Sequence, residues 1–286
     1  MYNEFFKTLT MHGISEAVKT ASESGFDSVE MLDIRGAWGM SRASAIEARS
    51  LLEDKGLSVS CYSLAIDIIP FDKYGNIVGD CESAVETAKR SAEAASIMGS
   101  PYFHHTLVTN LRPDLHRPKP PYDAVFETLV KAASEIAKAC NDMGLTVLYE
   151  PQGFYVNGSK NFGRFYNEMK LEYDVGICGD MANTLFVDEP PIEFYKNFVG
   201  EFRHVHLKDY EYLGRTVAPD RKCLLSLDGG VYSETGLGEG SVDFSECMKL
   251  LKNARYDGAF SLEINQKGEN IVEESRRIIK TVCDNY

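Results

Sequence analysis

At 286 residues, with 44% hydrophobic and 26% charged residues, the chain has the length and make-up of a folded domain and not of a fibrous or disordered one. A net charge of −13 with no Lys/Arg cluster argues against nucleic acid, whose binding draws on a basic face that releases counterions from phosphate. Met1-Tyr2-Asn3-Glu4-Phe5 lacks signal-peptide character, no apolar run reaches membrane length, and seven scattered cysteines form no Cys-x-x-Cys pair, so free thiols and a cytoplasmic location are expected.

A first strand is expected near Phe6–Thr10, followed by a helix over Ser15–Glu23 with Ala17, Val18 and Ala21 on one face. A phrase then recurs: amphipathic helix, Gly, a short step, β-rich run. Its copies place Gly25 before Ser28–Leu32, Gly56 before Ser58–Tyr62, Gly99 before Tyr102–His105, and Gly144 before Thr146–Tyr149. Each Gly suits the left-handed position that ends a helix. Intervals of 31 to 45 residues match one βα unit with variable loops. Helices are predicted over Ala43–Glu53 and Asp123–Asn141, the latter aligning Val125, Leu129, Ala132, Ile136 and Ala139. Further helices cover Asn161–Met169, Ile192–Phe198, Phe244–Leu251 and Glu269–Val282. Strands are expected at 6–10, 28–32, 58–63, 102–106, 145–150, 173–180, 202–207 and 259–264.

Strands alternating with helices predict parallel βαβ units joined by right-handed crossovers. No Gly-x-Gly-x-x-Gly follows the first strand, which weakens a dinucleotide-binding sheet. The expected fold is a (β/α)8 TIM barrel, α/β in class, forming a single domain over 1–286. Two segments exceed ordinary connectors: Leu107–Pro121, with four prolines, and Tyr210–Asp243, with two Gly-rich turns. Both leave strand C-termini and are read as walls of an active site.

Four titratable residues close the last four predicted strands: Glu150, Asp180, His206 and Glu263. Strand C-termini of such a barrel face one mouth, so these side chains should converge. Three carboxylates and an imidazole suit a divalent cation, Mn²⁺ first, with Mg²⁺, Co²⁺ or Zn²⁺ as alternatives.

The ordered motifs Glu150-Pro151, Gly179-Asp-Met-Ala-Asn183, His204-Val-His-Leu-Lys-Asp209, Gly238-Glu-Gly-Ser-Val-Asp-Phe244 and Leu262-Glu-Ile264 resemble the xylose isomerase-like TIM-barrel superfamily. The similarity is to its branch of sugar-phosphate isomerases/epimerases, ketose 3-epimerases and inosose dehydratases, and covers nearly the whole chain. The resemblance implies that Glu150, Asp180, His206 and Glu263 bind one divalent metal. Two positions depart from ketose 3-epimerases: Asn183 stands where these often carry a substrate-contacting His. Tyr212 stands where they tend to carry Arg, with Arg215 three residues further on. The segment after His206 is more similar to inosose dehydratase-like members. The nuclease branch needs three zinc ions and more histidines than the six present, at 12, 104, 105, 116, 204 and 206.

A cation at such a centre would chelate adjacent carbonyl and hydroxyl oxygens, acidify the neighbouring C–H and stabilise an enediolate. Glu150 and Glu263, across the barrel from one another, are the expected proton-transfer pair. The substrate is expected to be a small sugar or cyclitol ketone, and the reaction isomerisation or epimerisation, with dehydration or another lyase reaction as the alternative. Of His104 and His105, alternation lets one enter the barrel, and His105 is chosen as substrate-facing. Asn183, Lys208, Trp38 and Arg215 complete the substrate-binding set, with Glu30 and Asp33 as further hydroxyl binders. Asp209 is read as fixing loop geometry. The sequence leaves the oligomeric state open, a homo-oligomer included.

Overall fold

The computed structural model describes residues 14–34, 36, 41–72, 74–109, 120–216, 223–263 and 271–286. In chain order its strands are β1 (Ser28–Ile34), β2 (Ser58–Ala65), β3 (Tyr102–His105), β4 (Thr146–Tyr149), β5 (Val175–Asp180), β6 (Phe202–Leu207), β7 (Asp209–Gly214), β8 (Leu224–Leu225), β9 (Val231–Thr235) and β10 (Ala259–Leu262). Strands β1 to β6 and then β10 form one sheet in that order, and every neighbouring pair is parallel. These are the second to eighth predicted strands, paired consecutively as a (β/α)8 barrel requires. The predicted strand at Phe6–Thr10 lies outside the described residues.

Helices α1 (Ile14–Glu23), α2 (Arg42–Asp54), α3 (Glu82–Ile97), α4 (Tyr122–Asp142), α5 (Gly163–Met169), α6 (Pro191–Phe198), α7 (Phe244–Asn253) and α8 (Ile271–Asn285) alternate with the barrel strands. The apolar stripe of α4 packs as its period demands, with Val125, Leu129, Ala132, Ile136 and Cys140 buried. Strand β5, covered on both faces, is buried at all six positions, which is why it reads as a run without alternation.

The glycine phrase has a specific hydrogen-bond basis. Gly25, Gly56, Gly99 and Gly144 have φ of +78°, +68°, +76° and +77°. The amide of each following residue reaches five residues back: Phe26 to Ala21, Leu57 to Leu52, Ser100 to Ala95 and Leu145 to Cys140. This Schellman closure satisfies helix-end carbonyls and turns the chain into the next strand. A fifth copy ends α7, where Tyr256 donates to the Leu251 carbonyl, but Arg255 occupies the left-handed position at φ 57°.

The segment Tyr210–Asp243 departs from its reading as a loop. Among its described residues, β7, β9 and β8 form an antiparallel sheet beside the barrel. It docks on the turn after β5: Phe186 packs edge-on against Tyr210 and Tyr232, and the Leu227 amide donates to the Phe186 carbonyl. Of Leu107–Pro121, residues 110–119 lie outside the described residues. Just before them, the Thr109 amide is tied to Asp67. All seven cysteines are free and five are buried, as their scatter predicts. Among the described residues no helix is long and apolar enough to cross a membrane.

Candidate active site at the barrel mouth

Glu150 follows β4, Asp180 ends β5, His206 lies in the last two residues of β6, and Glu263 follows β10. Register aligns Asp180 with His206 and His206 with Ser261, so three neighbouring strands deliver these groups at one level. The Glu263 amide still donates to the Leu207 carbonyl at 3.1 Å, extending the ladder to the residue that matters. One donor atom from each of Glu150, Asp180, His206 and Glu263 falls within 4.8 Å of the others. His206 Nδ1 is central: 3.0 Å from Glu150 Oε1, 3.1 Å from Glu263 Oε2 and 3.9 Å from Asp180 Oδ2.

These residues fit a divalent cation on chemical grounds. Asp180 Oδ2 and Glu263 Oε2 are buried oxygens that accept no well-formed hydrogen bond. Their charge is met instead by Lys208, whose Nζ lies 3.0 Å from the first and 2.6 Å from the second. Asp180 Oδ1 is held by the amides of Ala182 at 2.7 Å and Asn183 at 2.6 Å, which leaves Oδ2 facing the cluster. Hard carboxylate oxygens with one imidazole nitrogen match the donor set of Mn²⁺, Mg²⁺ or Zn²⁺.

The local field separates the two glutamates. Burial pushes the Glu150 carboxyl up, against the attraction of His206. Burial also opposes ionisation of Glu263, but Lys208 and His206 outweigh it and hold that carboxyl down. Lys208 is likewise held charged, as Asp180 and Glu263 overcome its burial. Asn183 supports this array: its side chain donates to Glu150 Oε1 at 3.0 Å.

A cavity of about 120 Å³ opens beside the cluster, lined by Glu30, Ser63, His104, Thr106, Glu150, Gln152, His206 and Glu263, with Leu32 and Ala65 as apolar wall. Here the choice within β3 is corrected: His104 enters the pocket, with Nε2 3.5 Å from Glu150 Oε2. His105 points the other way, toward the helices, where its ring meets Tyr149 edge-on at 5.4 Å and Nδ1 donates to the Thr106 carbonyl. Arg215 is also outside the pocket, exposed on the added sheet and paired with Asp228 at 3.4 Å. Asp33 lies on the helix-facing side of β1, accepting from Tyr62 at 3.0 Å. Trp38 lies outside the described residues.

Glu30 and His204 carry more than the sequence reading assigned them. Glu30 accepts from His204 Nε2 at 2.9 Å and from His206 Nε2 at 3.1 Å. The sequence shows half of this: His-x-His places both imidazoles on one face of β6, but nothing local joins that face to Glu30 on β1.

Fold and site together define a parallel α/β barrel with a carboxylate–imidazole centre at its mouth. More narrowly, a family model described as xylose isomerase-like TIM barrel matches residues 18–282, and the chain belongs to that family. An inosose dehydratase of Clostridium botulinum (strain Alaska E43 / Type E3) is 25% identical over 144 residues, 49% of this chain and 47% of that protein. The chain thus spans about half the length of the curated relatives it matches. Among solved structures, a D-allulose 3-epimerase from Methylomonas sp. superposes with a TM-score of 0.72 at 14% identity, covering 96% of this chain and 92% of that one. The IOLI protein with a bound zinc atom gives 0.71 at 15% identity, covering 94% and 92%.

Proposed function

We propose that the protein is a metal-dependent isomerase or epimerase acting on a sugar or other polyol ketone. The observation that carries this reading is the convergence of Glu150, Asp180, His206 and Glu263 on one point beside a polar pocket. A divalent cation bound there, Mn²⁺ first, would supply the Lewis acidity that makes a C–H next to a carbonyl removable. The chain's own groups do the rest. Glu150 and Glu263 flank His206 Nδ1 from two strands, and their surroundings drive their proton affinities apart. Such a split marks an acid and base pair, one carboxyl taking a proton and the other returning one. Asn183 and Lys208 hold both carboxyls in place.

Dehydration is the second reading, favoured by the inosose dehydratases among the sequence relatives. It begins with the same proton removal but needs an acid aimed at the departing β-oxygen. His105 faces away from the pocket and Lys208 is committed to two carboxylates, so neither is aimed at such an oxygen. That geometry favours isomerisation or epimerisation. The Mn²⁺-loaded protein incubated with a panel of ketoses and inososes in D₂O decides between them. Deuterium uptake without water loss supports the first reading, whereas a product lighter by one water and absorbing as an enone replaces it with the second.

A further inference from the structure

Glu30 is a buried carboxylate that the proton transfers above leave unused. It receives four donors. The Ser63 hydroxyl donates to Oε1, the Ser261 hydroxyl to Oε2 at 2.5 Å, His204 Nε2 to Oε2 at 2.9 Å, and His206 Nε2 to both oxygens at 3.1 Å. The atoms of Glu30, His204 and His206 lie near enough to hold a cation themselves. Both Glu30 oxygens, however, already accept a serine hydroxyl, and the two Nε2 atoms at 2.9 and 3.1 Å complete a set of hydrogen-bond donors around this carboxylate.

The donor count fixes proton positions further out. A carboxylate can only accept, so the His206 Nε2 that faces Glu30 carries a proton whether or not the ring is charged, and a cation held by Glu150, Asp180 and Glu263 would displace the proton of Nδ1, the nitrogen that faces them. Ser63 has a single hydroxyl proton, spent on Glu30. Its oxygen, 3.2 Å from His104 Nδ1, must therefore accept from that ring. His104 is left with a bare Nε2, a buried atom without a hydrogen-bond partner, on the pocket side near Glu150.

We propose that Glu30 is a positioning residue that sets which nitrogen carries the proton on two imidazoles of the site: Nε2 on His206 and, through Ser63, Nδ1 on His104. One arm presents Nδ1 of His206 to the metal, as carboxylates behind metal-bound histidines do. The other presents a proton acceptor to the substrate. The first arm rests on the metal-centre reading above; the second does not.

Proton–nitrogen correlation spectra of histidine-labelled protein test this directly, recorded metal-free and loaded with Zn²⁺, with each ring assigned by single His→Gln replacement. Expected are a protonated Nε2 on His206 in both states and a protonated Nδ1 on His104. In Glu30→Gln, whose amide can also donate, the His206 proton should redistribute and Mn²⁺ affinity by calorimetry should fall about 10–100-fold. Ser63→Ala should move the His104 proton and leave that of His206 in place. A bare Nε2 on His206 in the wild-type protein, or undiminished Mn²⁺ affinity in a folded Glu30→Gln variant, overturns the proposal. If the wild-type protein binds no divalent cation, the metal reading fails while the metal-free spectra still judge Glu30. If Glu30→Gln does not fold, the wild-type spectra decide.

Discussion

His104 and His105 are adjacent in sequence and opposite in consequence. Both are buried and kept neutral: burial holds the imidazole of His105 down to about 4 and that of His104 down to about 3. An unfolded chain charges its histidines near pH 6.5, so between there and about 4 it binds a proton at His105 that the folded protein refuses. Folded-state stability is therefore full above pH 6.5 and is lost as pH falls through that window. His105→Phe keeps a ring against Tyr149 and should remove about 1–2 kcal/mol of the loss between pH 7 and 5, measured from urea midpoints at both values. An unchanged acid slope with abolished activity would instead return His105 to the substrate. For the proton-transfer pair, Glu150→Gln and Glu263→Gln should each cut turnover by roughly 10²–10⁴-fold. Near-normal turnover in Glu150→Gln with metal retained would exclude it as a base.

At the scale of elements, the turns carry the testable energetics. Arg255 holds a left-handed backbone position that the four equivalent helix ends give to glycine. Relieving that strain outweighs the extra freedom a glycine gains in the unfolded chain, so Arg255→Gly should stabilise by about 0.5–1 kcal/mol in thermal or urea unfolding. A loss of stability would mean that the Arg255 side chain makes contacts worth more than the backbone strain. Asp209, just past β6, accepts four amides: Tyr210 at 2.8 Å and Val242 at 3.1 Å on Oδ1, Gly238 at 3.1 Å and Gly240 at 2.9 Å on Oδ2. A Cβ at position 240 would collide with this carboxylate, so the Gly-Glu-Gly run is the complement of Asp209. Asp209→Ala strands these donors and should cost about 2–4 kcal/mol in urea unfolding. An effect confined to activity would show that its role is chemical.

For the whole molecule, the barrel concentrates three carboxylates at one end of a chain with net charge −13. A cation binding only the folded form adds stability by mass action, about 2.7 kcal/mol at a hundredfold excess over its Kd, or a rise of roughly 5 °C in Tm for a chain of this size. Addition of Mn²⁺ to chelator-treated protein should produce that rise, and EDTA should reverse it. The Glu263→Gln variant should respond far less. An equal response in this variant would place the cation elsewhere on the acidic surface.

Periodic patterns and turn chemistry are local, so the glycine turns, the order of the described barrel strands and the described α-helices other than α3 (Glu82–Ile97) were legible from neighbours in the chain alone. The four converging residues were legible for a related reason. In a parallel sheet, position at a strand's end is equivalent to position at the mouth, and Glu150, Asp180, His206 and Glu263 each stand at such an end. What the sequence could not convey depended on groups far apart in it. Alternation says that one of two successive histidines faces inward but not which; the pairing of β3 between β2 and β4 turned His104 in and His105 out. The segment after β6 read as loop because its strands pair with one another and dock on the turn after β5, at Phe186 and Asp188, and not on the barrel strands that set the repeating pattern. Glu30 is separated from His206 by 176 residues, and only the closing of the barrel brings its carboxylate behind that ring.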